Sequence, residues 1–266
     1  MSQIRHPSLH KAPLVAFSLP SPVMGLAEDH ESGHLIVPHR HDSDQLIHAA
    51  EGVMTVNTED GLWVVPPQRA VWVPALTAHS IRMTGAVQLR TVYLDPNLRP
   101  IDGDSCCVVR VSELLRASIM RVMKFQQPYA SDGRESRIVE IVIDEIREAP
   151  TAPLHLPEPK DPRARRISIA IREHPGARRT TGEWARIAGA SERTLERLFR
   201  AEVGMTFGRW QQQARLLRAL EILASGESVT TAALEVGFET PSAFIAMFRR
   251  AMGTTPARYF RRSPDS

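Results

Sequence analysis

The sequence predicts an α+β protein of two domains, a small β-barrel with flanking helices followed by an all-α domain. Between residues 34 and 95, short apolar runs alternate with turn signals such as Glu51-Gly52, which is typical of an all-β barrel or sandwich. From Arg163 onward, nearly every segment has the apolar period of a helix and is interrupted by glycine. A chain of 266 residues is long enough to hold both domains.

The composition is that of a soluble globular protein. No run of about 18 apolar residues is present, so we expect no transmembrane helix. The N-terminus lacks a basic segment followed by an apolar core, so we expect no signal peptide. These features predict a cytoplasmic protein with no membrane partner.

The two cysteines, Cys106 and Cys107, are neighbours in the chain. Adjacent cysteines are poorly placed for a structural disulfide and lack the spacing of a metal site. Two ordinary thiols in a reducing compartment are the simpler interpretation, and a redox-sensing pair is the alternative.

Changes in composition and in the spacing of apolar residues divide the chain into five segments. The stretches Val111–Gln126 and Ser136–Arg147 have apolar residues at helical spacing, and they either cover the barrel or form the seam of a homodimer. Residues 149–162 hold five prolines, which indicates an extended, semi-rigid linker. The segments are an N-terminal arm at 1–30, a barrel at 31–100, a helical segment at 110–148, the linker at 149–162 and a helical domain at 163–266.

The formal charge differs between the two halves of the chain. Residues 1–155 carry 14 basic and 18 acidic side chains, whereas residues 156–266 carry 19 and 12, which gives −4 and +7. Eighteen of the 19 basic residues are arginines, whose planar guanidinium groups suit phosphates and guanine edges. The C-terminal domain is therefore a candidate for binding a polyanion, although a basic face that is merely solvated is also common.

Residues 182–202 have the pattern of a helix-turn-helix unit. Gly189 supplies a turn in the left-handed conformation that glycine adopts most cheaply. Ala185, four residues earlier, lets the two helices approach each other, and Leu195, six residues later, completes their packing. Ser191 is placed to cap the second helix.

A second helix-turn-helix unit follows the same logic. Gly237 marks the turn, Thr240 is an N-cap candidate with Pro241 at the first helical position, and Phe244 buries the next helix. Between the two units, 207–224 is a long amphipathic stretch. A rigid helix there would let the two reading helices enter successive major grooves on one face of the DNA.

Two such units in tandem resemble the AraC/XylS family of transcriptional regulators. The resemblance covers roughly 100 residues; one small departure is Phe260, where the family often has arginine, a role that Arg261 can fill. It implies seven helices, two recognition helices, double-stranded DNA and RNA polymerase as partners, and either activation or repression. The matching residues are Ala185, Ser191, Leu195, Arg197, Phe199, Gly204, Arg215, Ala233, Gly237, Phe238, Phe244, Phe248, Gly253, Pro256 and Tyr259.

The resemblance makes the exposed positions of the two recognition helices the candidate DNA contacts. Arg193 and Arg197 lie one turn apart and suit guanine O6 and N7, while Glu196 would accept from a cytosine amino group or orient a neighbouring arginine. The exposed side chains of the second helix are small or apolar, so we expect them to contact methyl groups or phosphates and to specify less of the DNA sequence than the first helix does. The candidates are Ser191, Glu192, Arg193, Thr194, Glu196, Arg197 and Arg200 on the first helix and Thr240, Ser242, Ala243, Ile245, Ala246 and Arg249 on the second.

The barrel segment resembles a cupin. Its first motif is carried by Gly33, by the His39-x-His41 pair, by Gln45 where the family usually has glutamate, and by Gly52; Pro74 and His79 resemble the second motif. The resemblance implies that the two histidines of the pair, the residue at position 45 and the later histidine point into the barrel and bind one metal ion.

The residue types agree with that implication. Residues i and i+2 of a strand share a face, so His39 and His41 can both point inward, and His79 would complete a set suited to Zn, Ni, Fe or Mn. Gln45 removes a negative charge, although its amide could still ligate an ion or bind an anionic effector. A barrel that keeps its fold without metal is the alternative.

Three aromatic residues are candidates for the lining of an effector pocket. They are Trp63, Trp72 and Tyr93. Aromatic residues in strands are also common core residues.

Three interpretations of the whole chain stay open. The first is a DNA-binding regulator controlled by a small molecule or metal in the barrel. The second is a cupin metalloenzyme with an accessory DNA-binding domain, against which the missing glutamate counts. The third is a DNA-binding regulator whose barrel serves only for dimerisation.

Overall fold

The computed structural model describes residues 9, 12–15, 18–152 and 154–260. The chain forms two compact units, Met1–His155 and Leu156–Ser266. The strands are β1 Val23–His30, β2 Leu35–His39, β3 Asp44–Thr58, β4 Gly61–Val65, β5 Arg69–Val73, β6 His79–Leu94, β7 Cys107–Arg110, β8 Thr151–Ala152 and β9 His155–Pro157. The helices are α1 Glu113–Val122, α2 Arg134–Glu148, α3 Pro162–Glu173, α4 Thr181–Ala188, α5 Glu192–Val203, α6 Phe207–Ala224, α7 Val229–Glu235, α8 Pro241–Met252 and α9 Pro256–Tyr259.

Two long strands, β3 and β6, form the centre of the N-terminal unit and pair antiparallel along most of their length. One half of this ribbon is flanked by β1 and β5, and the other half by β2 and β4. The pairing shifts register around Gly52, which has a φ of +78°. Such bulges bend a strand and increase its twist, so one continuous sheet curves into the predicted cupin-like barrel.

Helices α1 and α2 cover one face of the sheet. The strands contribute Leu46, Trp72 and Val92 to a buried cluster, and the helices contribute residues such as Ile119 and Val142. These helices therefore cover the barrel, which was one of the two roles that the sequence left open. The other role, a dimer seam, concerns their outward face.

The sheet extends beyond the segment from which the sequence predicts it. Strand β1 lies within residues 1–30, assigned to the arm, and β8 lies within the linker segment and pairs with β7. Neither strand has a strong periodic signal of its own. Each is specified by a partner strand whose backbone groups it satisfies.

The second unit contains the two predicted helix-turn-helix motifs. In the first, α4 ends at Gly189 (φ +68°) and α5 is capped by Ser191, whose side chain accepts from the Thr194 N–H. In the second, Gly237 (φ +85°) forms the turn, and Thr240 caps α8. Within residues 156–260, the described chain has the seven helices that the family resemblance implies.

Gly237 has a packing role as well as a conformational one. A Cβ atom there would lie 2.9 Å from the carbonyl oxygen of Gly176, in the loop between α3 and α4. The turn of the second motif is thus packed directly against the connection that precedes the first.

In the described part of the chain, no helix has the length and apolar character needed to cross a lipid bilayer.

His48 is a fully buried histidine on β3, away from the predicted metal site. Its Nδ1 lies 2.9 Å from the carbonyl oxygen of Arg69, and among the described residues its Nε2 has no hydrogen-bond partner. The pKa of His48 is lowered to about 4, chiefly by burial; the hydrogen bond to the Arg69 carbonyl opposes this shift, and the charges of Arg116 and Arg90 add to it. The neutral ring, which donates from Nδ1, is therefore the native form.

We expect His48 to make the N-terminal unit less stable in mild acid. Because its folded pKa lies below the ordinary 6.5, the unfolded chain binds the proton more tightly, and stability is lost as pH falls from 6.5 toward 4. This contribution is about 2 kcal/mol between pH 7 and pH 5. His48→Asn keeps the donor to Arg69 without titrating, so the stability difference between wild type and variant should change by that amount. A difference that is constant over this pH range would contradict the assignment.

Candidate functional site

Three histidines meet inside the N-terminal unit. One ring nitrogen each of His39, His41 and His79 can be chosen so that all three atoms lie within 4.8 Å of one another. His39 ends β2 and His79 begins β6, and the two residues are register partners across that pair of strands. The structure therefore brings together the three histidines that the sequence singled out.

Backbone carbonyls fix the orientation of all three rings. The Nδ1 atoms of His39 and His79 lie 2.9 Å from the carbonyl oxygens of Val37 and Thr77, and Nδ1 of His41 lies 2.8 Å from that of Ser43. A carbonyl oxygen can only accept, so each Nδ1 is the protonated nitrogen. This leaves Nε2 of His39 and of His79 for a ligand, whereas Nε2 of His41 lies against the side-chain amide of Gln45. Outer hydrogen bonds at Nδ1 are typical of metal-binding histidines.

Burial keeps two of the three histidines, His41 and His79, uncharged at neutral pH. The pKa of His79 falls to about 3, chiefly because the ring is desolvated and secondly because of neighbouring His39. Burial also lowers the pKa of His41, against the opposing effect of hydrogen bonds to Gln45 and Ser43. Neutral imidazole is the form that ligates a metal ion.

Gln45 and Tyr93 border the cluster. Oε1 of Gln45 is 2.7 Å from Nε2 of His41, and the Tyr93 ring meets the His41 ring edge-on at 5.3 Å between centroids. Gln45 and Tyr93 are register partners, so both side chains project from the same face of the sheet. Burial raises the pKa of Tyr93 to about 12, so its phenol stays protonated.

The two tryptophans predicted to line a pocket are separated by the sheet. Trp63 pairs with Val56, which pairs with Ile81, and Ile81 shares the face of His79 two residues earlier. Trp63 also stacks on His155, with ring centroids 4.2 Å apart. Trp72 instead belongs to the cluster beneath α1 and α2, on the opposite face, and does not reach the histidines.

An ion pair that sequence reasoning missed holds the loop before His79. The buried carboxylate of Asp44 accepts from Nε and Nη2 of Arg99 at 2.9 and 3.0 Å, and from the backbone N–H of Ala75 at 2.7 Å. The next N–H, of Leu76, donates to the carbonyl of His41 at 2.7 Å. Leu76 has a φ of +65°, a strained conformation for a branched residue. No sequence motif marks this ion pair, because Asp44 and Arg99 are 55 residues apart.

The described part of the N-terminal arm lies beside the cluster. Leu14 and Arg40 form a parallel β-bridge. The N–H of Val15 donates to the Arg40 carbonyl at 2.7 Å, and the N–H of Arg40 donates to the Pro13 carbonyl at 3.0 Å. Because Arg40 lies between His39 and His41, the arm is attached to the short segment that carries two of the three histidines.

The cysteine pair does not have the character of a redox sensor. Burial raises the pKa of Cys106 to about 12 and also raises that of Cys107. Since the thiolate is the reactive form, both thiols are poorly activated, which favours the interpretation as two ordinary cysteines.

The candidate reading surface of the first helix-turn-helix lies on α5. Arg193, Arg197 and Arg200 are exposed, whereas Leu195 and Phe199 are buried on the opposite face. Phe199 packs at 4.9 Å against Phe207, at the start of α6. This core fixes the direction in which the arginines project.

Glu196 is engaged within the protein. Its carboxylate accepts from the N–H of Phe207 at 3.4 Å and lies 4.0 Å from Nε of Arg200. These contacts favour the second of the two roles predicted for Glu196, the orientation of a neighbouring arginine.

The second reading surface lies on α8 and differs in chemistry. Ser242, Ala243 and Ala246 are exposed, Ile245 is partly exposed, and Arg249 follows one turn later. Phe244 and Phe248 anchor the buried side, and Phe248 packs on Tyr259 at 5.7 Å. Two capped helices presented by tight glycine turns from an arginine-rich unit define a DNA-binding protein of the double helix-turn-helix class.

Comparisons with known proteins agree with this class. Residues 21–121 match the AraC-like ligand binding domain, and residues 184–262 match a helix-turn-helix domain. The chain is 34% identical over 232 residues to the HTH-type transcriptional regulator NimR of Escherichia coli (strain K12), covering 86% of this chain and 85% of NimR. It is 31% identical over 137 residues to the regulator RipA of Corynebacterium glutamicum, covering 52% and 40%.

Among solved structures, the DNA-binding domain of AdpA in complex with a target DNA is 33% identical, covers 38% of this chain and 91% of that one, and superposes with a TM-score of 0.36. The chain belongs to the AraC family of DNA-binding transcriptional regulators, with a ligand-binding domain at its N-terminus. Membership of this family makes it a regulator of transcription and not a cupin enzyme.

Proposed function

We propose that this regulator is controlled by a divalent transition metal held by His39, His41 and His79 in the barrel. The observation that carries the proposal is the convergence of three imidazoles whose Nδ1 atoms are all engaged by backbone carbonyls. The ion would link the end of β2 to the start of β6, beside the arm.

The residues present fit such an ion. Nε2 of His79 is buried and has no hydrogen-bond partner among the described residues, which is costly unless a ligand engages it. One nitrogen of each ring lies within 4.8 Å of the other two, so the three rings are close enough to share one ion once they adjust to the usual metal–nitrogen distance of about 2.1 Å.

The ligand set also favours particular ions. Three imidazoles and the neutral Gln45 amide, with no carboxylate among them, favour Zn, Ni or Fe over Mn, because Mn prefers oxygen ligands. The ion supplies binding energy that stabilises one arrangement of the strand ends and the arm. A regulator responds to it if its two arrangements differ in DNA affinity.

The other parts of the proposal concern partners. The exposed residues of α5 and α8 contact promoter DNA, and RNA polymerase acts at the same promoters. Leu114 on α1 and Ile141 on α2 are 53% and 39% exposed, which supports a homodimer seam on the outward face of these helices. Trp63 and Tyr93 remain the candidate lining for an organic effector.

Elemental analysis tests the metal site. Protein purified without chelator is expected to hold about one transition metal ion per chain, and the His39→Ala/His41→Ala variant none. His34→Ala is the matched control, because His34 is an exposed histidine stacked on His30 outside the cluster. An absence of metal in the wild type, even after ions are added back, would rule the proposal out.

That outcome would favour the second candidate function, a regulator whose barrel serves only for dimerisation. The exposed Leu114 and Ile141 are the observation on its side. It predicts that changing them to serine separates the protomers and weakens DNA binding, while changing the histidines has no effect on either.

A further inference from the structure

The two recognition helices present different chemistry at equivalent positions. The N-caps Ser191 and Thr240 are 49 residues apart, and the same offset relates the buried pair Phe199 and Phe248. With that offset, Arg193 corresponds to Ser242, Glu196 to Ile245, and Arg197 to Ala246. Of the exposed positions compared, only the one after Arg197 and Ala246 by about one turn has the same residue in both helices, Arg200 in α5 and Arg249 in α8.

The uncharged positions of α8 form one continuous stripe. Ser242, Ile245 and Ala246 make up this uncharged stripe, and Arg249 continues the same helix face at the i+7 position. These four residues, with Arg250 and Thr255, line an open groove of about 640 Å³. The face opposite the groove carries the buried Phe244 and Phe248.

The uncharged stripe of this recognition helix cannot read bases through charged hydrogen bonds. In the major groove, the base feature that an aliphatic side chain can distinguish is the C5-methyl group of thymine. Arg249 and Arg250 flank the apolar stripe with positive charge, which suits the phosphates on either side of such a contact. The occupant that this face fits is therefore a thymine-bearing stretch of duplex DNA.

We infer that α8 recognises thymine methyl groups through Ile245 and Ala246, whereas α5 reads guanine through Arg193 and Arg197. The operator is then asymmetric within each protomer's site. A G-containing element and a T-rich element lie about one helical turn, roughly 10 base pairs, apart. This inference rests on the DNA-binding function and deepens it.

The test removes the methyl groups from the DNA and leaves the protein intact. Full-length protein selects its sites from a random duplex library, and each thymine of a selected site is then replaced by deoxyuridine, which pairs identically but lacks the methyl. We expect one to three positions in one element at which wild-type affinity falls about fourfold, the value of one buried methyl group. Ala246→Gly should weaken binding and lose the discrimination between thymine and uracil at one of these positions, while any position contacted by Ile245 keeps it.

Arg197→Ala is the matched control, because it should weaken binding while keeping the fourfold preference for thymine. A selected site at which no thymine-to-uracil change alters affinity more than about 1.5-fold overturns the inference and leaves DNA binding in place. If Ala246→Gly keeps the wild-type preference for thymine over uracil at every position, the assignment of methyl recognition to α8 is overturned. Failure to select any sequence would overturn the DNA-binding function itself, a distinguishable result.

Discussion

Replacing Asp44 with alanine is expected to lower the free energy of unfolding of the N-terminal unit by about 3 kcal/mol. The Asp44 side chain is fully buried and accepts three hydrogen bonds, two from Arg99 and one from Ala75. Its removal leaves the guanidinium without its buried partner and the Ala75 N–H without an acceptor. Since Arg99 is partly exposed, water offsets some of the loss, which places the effect at the lower end for a broken buried ion pair.

The same change should affect the histidine cluster. Ala75 and Leu76 belong to the loop that leads to His79, and the Leu76 N–H donates to the carbonyl of His41. Losing the anchor of that loop is expected to weaken metal binding about 10-fold or more, as changes to outer hydrogen bonds do.

Asp104→Ala provides the control. Asp104 pairs with the same Arg99 at 2.9 Å, but its side chain is 93% exposed, so its loss should cost under about 0.5 kcal/mol. Hydrogen exchange of the β3 amides follows this unit separately from the helical one. Equal effects of the Asp44 and Asp104 changes would show that the buried pair does not hold the loop.

The Arg193→Ala/Arg197→Ala variant is expected to bind its selected operator about 100-fold more weakly or worse. The two guanidinium groups are exposed on one face of α5, where bidentate contacts to guanine are each worth about 1–3 kcal/mol. Binding to random DNA should fall much less, so the ratio of specific to non-specific affinity is the quantity to measure.

Arg249→Ala separates base reading from phosphate contact. Arg249 lies late in α8, at the end of the uncharged stripe, where it is placed for a phosphate, so its loss should weaken binding to all sequences alike. It should also reduce the slope of affinity against salt by about one. A uniform loss in the α5 variant, with its sequence preference unchanged, would show that the two arginines contact only the backbone.

The sequence predicted most where local chemistry decides the structure. Gly189 and Gly237 need positive φ, and Thr240-Pro241 starts a helix by capping alone, so both helix-turn-helix units could be located in advance. The His39-x-His41 spacing likewise identified two rings that meet, although β2 ends at His39 and His41 lies just beyond the strand. Each of these features is set by residues within one or two turns of each other.

The features that could not be predicted depend on distant partners. Strand β1 forms because it pairs with the edge of β6. The side of the sheet on which Trp72 lies depends on the pairing of β5 with β3 and on the helices that cover that side. The carbonyls that orient the histidines are backbone atoms, so no residue type in the sequence indicates them. The Asp44–Arg99 ion pair joins residues 55 positions apart and could not be predicted from the sequence either.

The most direct test of the central proposal is the affinity of the full-length protein for its selected operator, measured in chelator and then with saturating Zn, Ni or Fe. We predict a change of at least fivefold with the ion that the purified protein retains, the lower range of coupling between two sites. The His39→Ala/His41→Ala variant should show no change. Identical wild-type affinities with and without every ion would contradict metal control of this regulator.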